Sequence, residues 1–214
     1  MAEITQRRPE AAPVPAAGGA GAPPGAGTRP RPPRTIVPLA GLPVVAVVVI
    51  ALVTAIAGNW LWALDFFHVV GGGLWTGIDL FVGLVIGPIL GRLSIPARVE
   101  FAARFMPKML LIMPTLVLMT LASGWQLARH VGVLEVGYPQ RWWLIASFIV
   151  VGVMTVIALG FLEPANLAVL FELRKDAPDG ALIGKLMRRF AYTAGITGIM
   201  QVATLVIMTR IATW

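Results

Sequence analysis

The chain contains no cysteine. This excludes disulfides, thiolate nucleophiles, cysteine-ligated zinc, iron–sulfur clusters and covalent c-type haem attachment, and leaves histidine, methionine and carboxylate as the side chains able to hold a metal. Charge is scarce too: 13% of the 214 residues are charged against 57% hydrophobic, and mean hydropathy is +0.83. Soluble domains carry about a quarter charged residues, so this balance identifies an integral membrane protein. There are two histidines, His68 and His130. No Walker loop, nucleophile elbow or dinucleotide-binding turn occurs; Gly71-Gly72-Gly73 follows no strand and reads as a close helix contact. The net charge of +7 is spread over a terminal segment and short connections instead of one patch, which argues against nucleic acid as a partner.

What the chain does have is apolar runs. Residues 1–35 are dominated by Ala, Pro and Gly with Arg7, Arg8, Arg29, Arg31 and Arg34, and read as a disordered basic cytoplasmic tail. Residues 36–214 read as a transmembrane domain with helices at about 36–57, 62–92, 101–130, 141–173 and 183–212. The fold expected is all-α: a polytopic bundle of five transmembrane helices, a four-helix core plus an extra N-terminal helix. Ala55-Ile56-Ala57 has the small-x-small form of a cleavage site, but the leader is too long and the apolar run exceeds a usual signal core. Pro114 should kink the third helix, and Glu163, Pro164 and Asn166 suggest a break or a water-accessible turn in the fourth.

Orientation follows from Lys and Arg. Fourteen fall on the side of the tail and of the second-to-third and fourth-to-fifth connections; Arg129, Arg141 and Arg210 fall on the other. The positive-inside rule then puts the N-terminus in the cytoplasm and the C-terminus outside a bacterial plasma membrane. Trp60, Trp62, Trp125, Trp142, Trp143 and Trp214 gather near the outer interface, where indoles prefer to sit.

The second helix organises the rest. Asp65, His68, Gly72, Trp75 and Asp79 recur at steps of three and four and make one polar stripe, which has to face protein. Gly83, Gly87 and Gly91 form two overlapping GxxxG units, a surface through which a helix of this chain or of a second copy could approach. His68 and His130 are both placed toward the outer leaflet. Two imidazoles at one depth could hold a b-type haem axially, or a copper ion, with Asp65 orienting the second nitrogen of His68. The plainer reading is a hydrogen-bonded His68 within the bundle and a wetted His130 beside Arg129. Asp79 lies 11 residues after His68, about 16 Å along the helix and near the bilayer midplane. It is a candidate for a proton path, with Thr155, Thr197 and Gln201 as partners at similar depth; otherwise it is a protonated carboxyl bonding helices together. Met106, Met109 and Met113 share one face and read as core packing.

The pattern His68, six residues, Trp75, one residue, Gly77 resembles the first core helix of the CopD-like and HemJ-like bacterial membrane proteins. The resemblance extends loosely over residues 60–210, including a helix that closes in a small-residue turn, Ala122-Ser123-Gly124. It implies a four-helix core and a haem- or copper-related redox role, with His68 matching the family's first-helix histidine. HemJ-type oxidases carry a lysine early in the third core helix, whereas Trp142-Trp143-Leu144-Ile145-Ala146-Ser147 offers none. The expectation is a protein that binds b-type haem through His68, with His130, Trp75 and Asp65 in the site, and that meets a redox partner or a quinone. A copper-handling transporter and a non-catalytic membrane scaffold are the alternatives.

Overall fold

A backbone crossing hydrocarbon has only itself to hydrogen-bond, so long apolar runs close as helices. The computed structural model describes residues 38–213; the expected tail (1–35) and Trp214 lie outside the described residues. Five helices are each long and apolar enough to cross a membrane: α1 (Leu39–Ala57), α2 (Leu61–Arg92), α3 (Ile95–His130), α4 (Arg141–Leu173) and α5 (Gly180–Ala212). No strand occurs among the described residues, and the protein is an all-α helical bundle.

Two helices start earlier than their apolar runs indicate, one with a proline in its first turn and the other with a side-chain cap. Ser94 is extended at the N-cap and Pro96 occupies the first turn, so α3 begins at Ile95 instead of 101. Asp179 Oδ1 accepts from the amides of Ala181 (2.8 Å) and Leu182 (3.1 Å), so α5 begins at Gly180 instead of 183.

Helix α2 packs against α1, α3 and α5, and α5 against α2, α3 and α4. Helix α1 packs on α2 and α3 at the edge of the bundle: it buries only Leu52 and Ala55 and leaves Val44, Val47, Ile50 and Val53 exposed. Apolar exposure on that scale suits a lipid surround. The core is rich in methionine: Met106, Met109 and Met113 are all buried, joined by Met154 and Met187 from α4 and α5. Their unbranched chains fill the irregular space between crossing helices.

Proline shapes both α2 and α4. Each contains one wide π-helical turn, Val82–Ile86 and Ala158–Leu162, and each turn ends two residues before a proline, Pro88 and Pro164. The proline ring cannot donate to the preceding turn, and widening the turn accommodates the loss without ending the helix. Thus Glu163-Pro164 is no break; α4 runs on to Leu173. Nor is Asn166 at a water-accessible turn: it is buried, and with its amide oriented to match its neighbours it donates to Met106 O (3.2 Å) and accepts from Leu110 N (3.3 Å). Those are backbone groups of α3 on either side of Pro107, which with Pro114 makes two prolines that α3 carries without interruption.

The glycines of α2 are used on two sides. Gly71 and Gly72 meet Thr120 of α3, while Gly73 has open space around it. Gly83 lies directly against the backbone of Gly195 on α5 and Gly87 against Ala191, so two of the three GxxxG positions are spent inside the chain and not on a second copy. Gly91 is open.

Candidate functional site

The close α2–α3 approach at Gly71 and Gly72 brings His68 against α3. Its Nδ1 donates to Thr120 O at 2.9 Å, and the ring lies over Gly124, where an added Cβ would sit 2.5 Å from both Cε1 and Nδ1. Only glycine admits the imidazole there. A carbonyl oxygen can only accept, so Nδ1 carries a proton, and in the neutral ring Nε2 is the nitrogen with the lone pair. Thr120 turns its own hydroxyl back to Leu116 O (2.8 Å); the buried Ser123 hydroxyl turns back to Met119 O and makes only a long second contact, 3.4 Å, to Thr120 O, the carbonyl that accepts from His68. The stretch Ala122-Ser123-Gly124 therefore sits inside α3 and does not close it; α3 continues to His130.

His130 is elsewhere. It follows Gly124 by six residues, about 9 Å along α3 and about 120° around it. There Gln126 Nε2 donates to Asn59 Oδ1 (3.0 Å) and Asn59 Nδ2 donates to His130 Nδ1 (2.5 Å), tying the α1–α2 turn to the end of α3. Asn59 sits at φ +51°, in the left-handed region that asparagine tolerates, which aims its side chain at α3. In this chain of bonds Nδ1 of His130 accepts, so its ring proton is on Nε2. The two imidazoles thus do not share a site. Asp65 is exposed, and the partner of His68 is the Thr120 carbonyl instead. No group of three or more His, Asp or Glu able to hold a metal occurs among the described residues.

The inward part of the α2 stripe holds. Trp75 and Asp79 are buried, Asp79 at 1% exposure. Thr197 Oγ1 (2.9 Å) and Gln201 Nε2 (3.0 Å), both on α5, donate to Asp79 Oδ2. These are two of the three partners expected at that depth; Thr155 bonds its own helix at Val151 O (2.8 Å). The contact is close because Gly195 meets Gly83 and Gly198 meets Leu80, letting α5 lie on the α2 backbone on either side of Thr197. Trp75 Nε1, one turn before Asp79, borders the same carboxyl, falls short of hydrogen-bond geometry, and is buried without another acceptor; Gln201 Oε1 is likewise buried without a donor.

Sequence reasoning missed Asn59, Gln126 and Gly124. Asn59 stands in a turn just after a span, where polar residues are unremarkable, and a glycine reveals its partner only when the helix opposite is known. Comparison with family models, with curated proteins and with solved structures finds no match for this chain.

Proposed function

We propose that this chain is a membrane redox protein that binds b-type haem through one imidazole, Nε2 of His68. One observation carries the reading: the Thr120 carbonyl accepts a hydrogen bond from Nδ1 at 2.9 Å, which orients the ring and makes Nε2 the nitrogen that a neutral imidazole offers to a metal. The donor set favours haem over copper. Haem supplies four nitrogens of its own and asks the protein for an axial ligand, whereas copper held by side chains alone needs several, and no such cluster of His, Asp or Glu is present among the described residues. Bound there, haem supplies one-electron transfer. The chain's own part is to hold the ring: Gly124 gives it space and Thr120 O sets its tautomer. His130 stands outside the ligand set, with Nδ1 engaged by Asn59. In this reading the partner is a quinone or a redox protein, and the charge asymmetry supports a His68 on the outer half of a bacterial plasma membrane.

The absorption spectrum of the full chain, purified after expression with ample haem, tests it. The expected outcome is a Soret band that is lost in His68→Ala, returns when imidazole is added to that variant, and persists in His130→Ala. A wild-type protein without the band, or a His68→Ala protein that keeps it, overturns the reading.

A further inference from the structure

Around Asp79 there are both too few hydrogens and one too many. The single hydroxyl hydrogen of Thr197 faces three oxygens: Asp79 Oδ2 (2.9 Å), Ala194 O (2.9 Å) and Thr193 O (3.1 Å). Gln201 donates Nε2 to Asp79 Oδ2 (3.0 Å), while its Oε1, on the same amide, has no donor. Across the carboxyl the indole N–H of Trp75 has no acceptor. All four side chains are more than nine-tenths buried. An unpaired polar group in such surroundings costs roughly 1–3 kcal/mol, so two of them on one carboxyl need a common cause.

The two orphans are complementary to the two states of a carboxyl group. An ionised carboxylate only accepts, and the Trp75 N–H is the donor it would draw in. A neutral acid has one O–H to give, and Gln201 Oε1 is the acceptor beside it, completing the paired bonds of an acid and an amide. We propose that Asp79, Trp75, Thr197 and Gln201 form a reversible proton-binding site in the middle of the bundle. On uptake, a proton from water adds to the carboxylate, the neutral acid donates to Gln201 Oε1, and no electron moves. No ionisable group of α1, α3 or α5 faces the carboxyl, and the next ones along its own helix are His68 and Arg92, 11 residues before and 13 after. The proton therefore has no fixed cation to substitute for it. This inference does not depend on haem at His68.

The test is infrared spectroscopy of the full chain reconstituted in phosphatidylcholine vesicles, taking difference spectra between acidic and alkaline buffer. The expected result is a carbonyl stretch of a protonated carboxylic acid that appears and disappears reversibly with pH and is missing from Asp79→Asn. In Gln201→Leu the band should move to higher frequency, because the Nε2 bond to Oδ2 is gone. Identical carboxylic-acid bands in wild type and Asp79→Asn overturn the proposal. Should Asp79→Asn fail to fold, a Gln201→Leu protein with every such band unmoved overturns it equally.

Discussion

A histidine between two helices can be a ligand only if something else settles which of its nitrogens is bare. At position 68 that is done by a backbone carbonyl, which no side-chain substitution removes, and by the missing Cβ of Gly124. Gly124→Ala is therefore expected to act on the ring and not on α3 itself. The methyl has to displace Cε1 or Nδ1, an overpacking cost of about 1–3 kcal/mol, and the bond to Thr120 O is lost with the displacement. Denaturation in mixed detergent should show the destabilisation, and, on the haem reading proposed above, the spectrum should show the Soret band weakened or absent. Ala122→Gly, beside it but away from the ring, should leave the band in place. How far such a site can be read from sequence depends on which coordinate matters. Depth along a helix follows from counting residues, and it brought Asp79 to the level of Thr197 and Gln201. Azimuth does not follow from depth: His68 and His130 are assigned to one leaflet yet lie on different sides of α3, and the bond from Asn59 to His130 depends on a turn with positive φ that the residue names do not announce.

At the scale of elements, glycine decides which helices meet. Gly83 and Gly195 let α2 and α5 touch backbone to backbone, the contact that carries Thr197 and Gln201 to Asp79. Gly83→Ala is expected to destabilise the bundle by about 1–3 kcal/mol, since its Cβ has only main chain in front of it, whereas Gly73→Ala and Gly77→Ala, facing open space, should be close to neutral. Chemical denaturation of the three variants side by side checks this, and equal effects would mean that the α2–α5 seam is not the tight one. Asn166 offers a second measurement. Its amide reaches the α3 main chain at Met106 and Leu110, so Asn166→Ala removes two interhelical bonds, about 0.6 kcal/mol each by the average for membrane helices. Asn166→Asp should be worse, because a carboxylate cannot donate to Met106 O. The helices themselves were legible because a run of some 20 apolar residues has few other ways to fold. Their irregularities were not. A proline can break a helix, kink it or be absorbed by a wide turn, and Pro88, Pro107, Pro114 and Pro164 are all carried inside continuous spans because the neighbouring helices hold them there.

At the scale of the molecule, what matters is which end faces the cytoplasm, because that decides whether His68 is met by an outer or an inner partner. The described structure fixes only relative ends. The α1–α2 turn with Asn59 and the α3–α4 connection lie at one end, with exposed Trp60, Trp62, Trp125 and Trp142; the α2–α3 and α4–α5 connections lie at the other. Fourteen of the 17 Lys and Arg belong to the second end and to the segment before α1. Such an excess is as a rule retained on the cytoplasmic side during insertion. The absence of cysteine makes the assignment easy to check, since any cysteine introduced is the only one. Gly137, in the α3–α4 connection, is exposed with open space around it, and Asp176, in the α4–α5 connection, is exposed as well. In spheroplasts, Gly137→Cys is expected to react with a membrane-impermeant maleimide, and Asp176→Cys only after permeabilisation. The opposite pattern would put the basic end outside and His68 in the cytoplasmic half, and any partner of the proposed haem site would then have to be sought on that side.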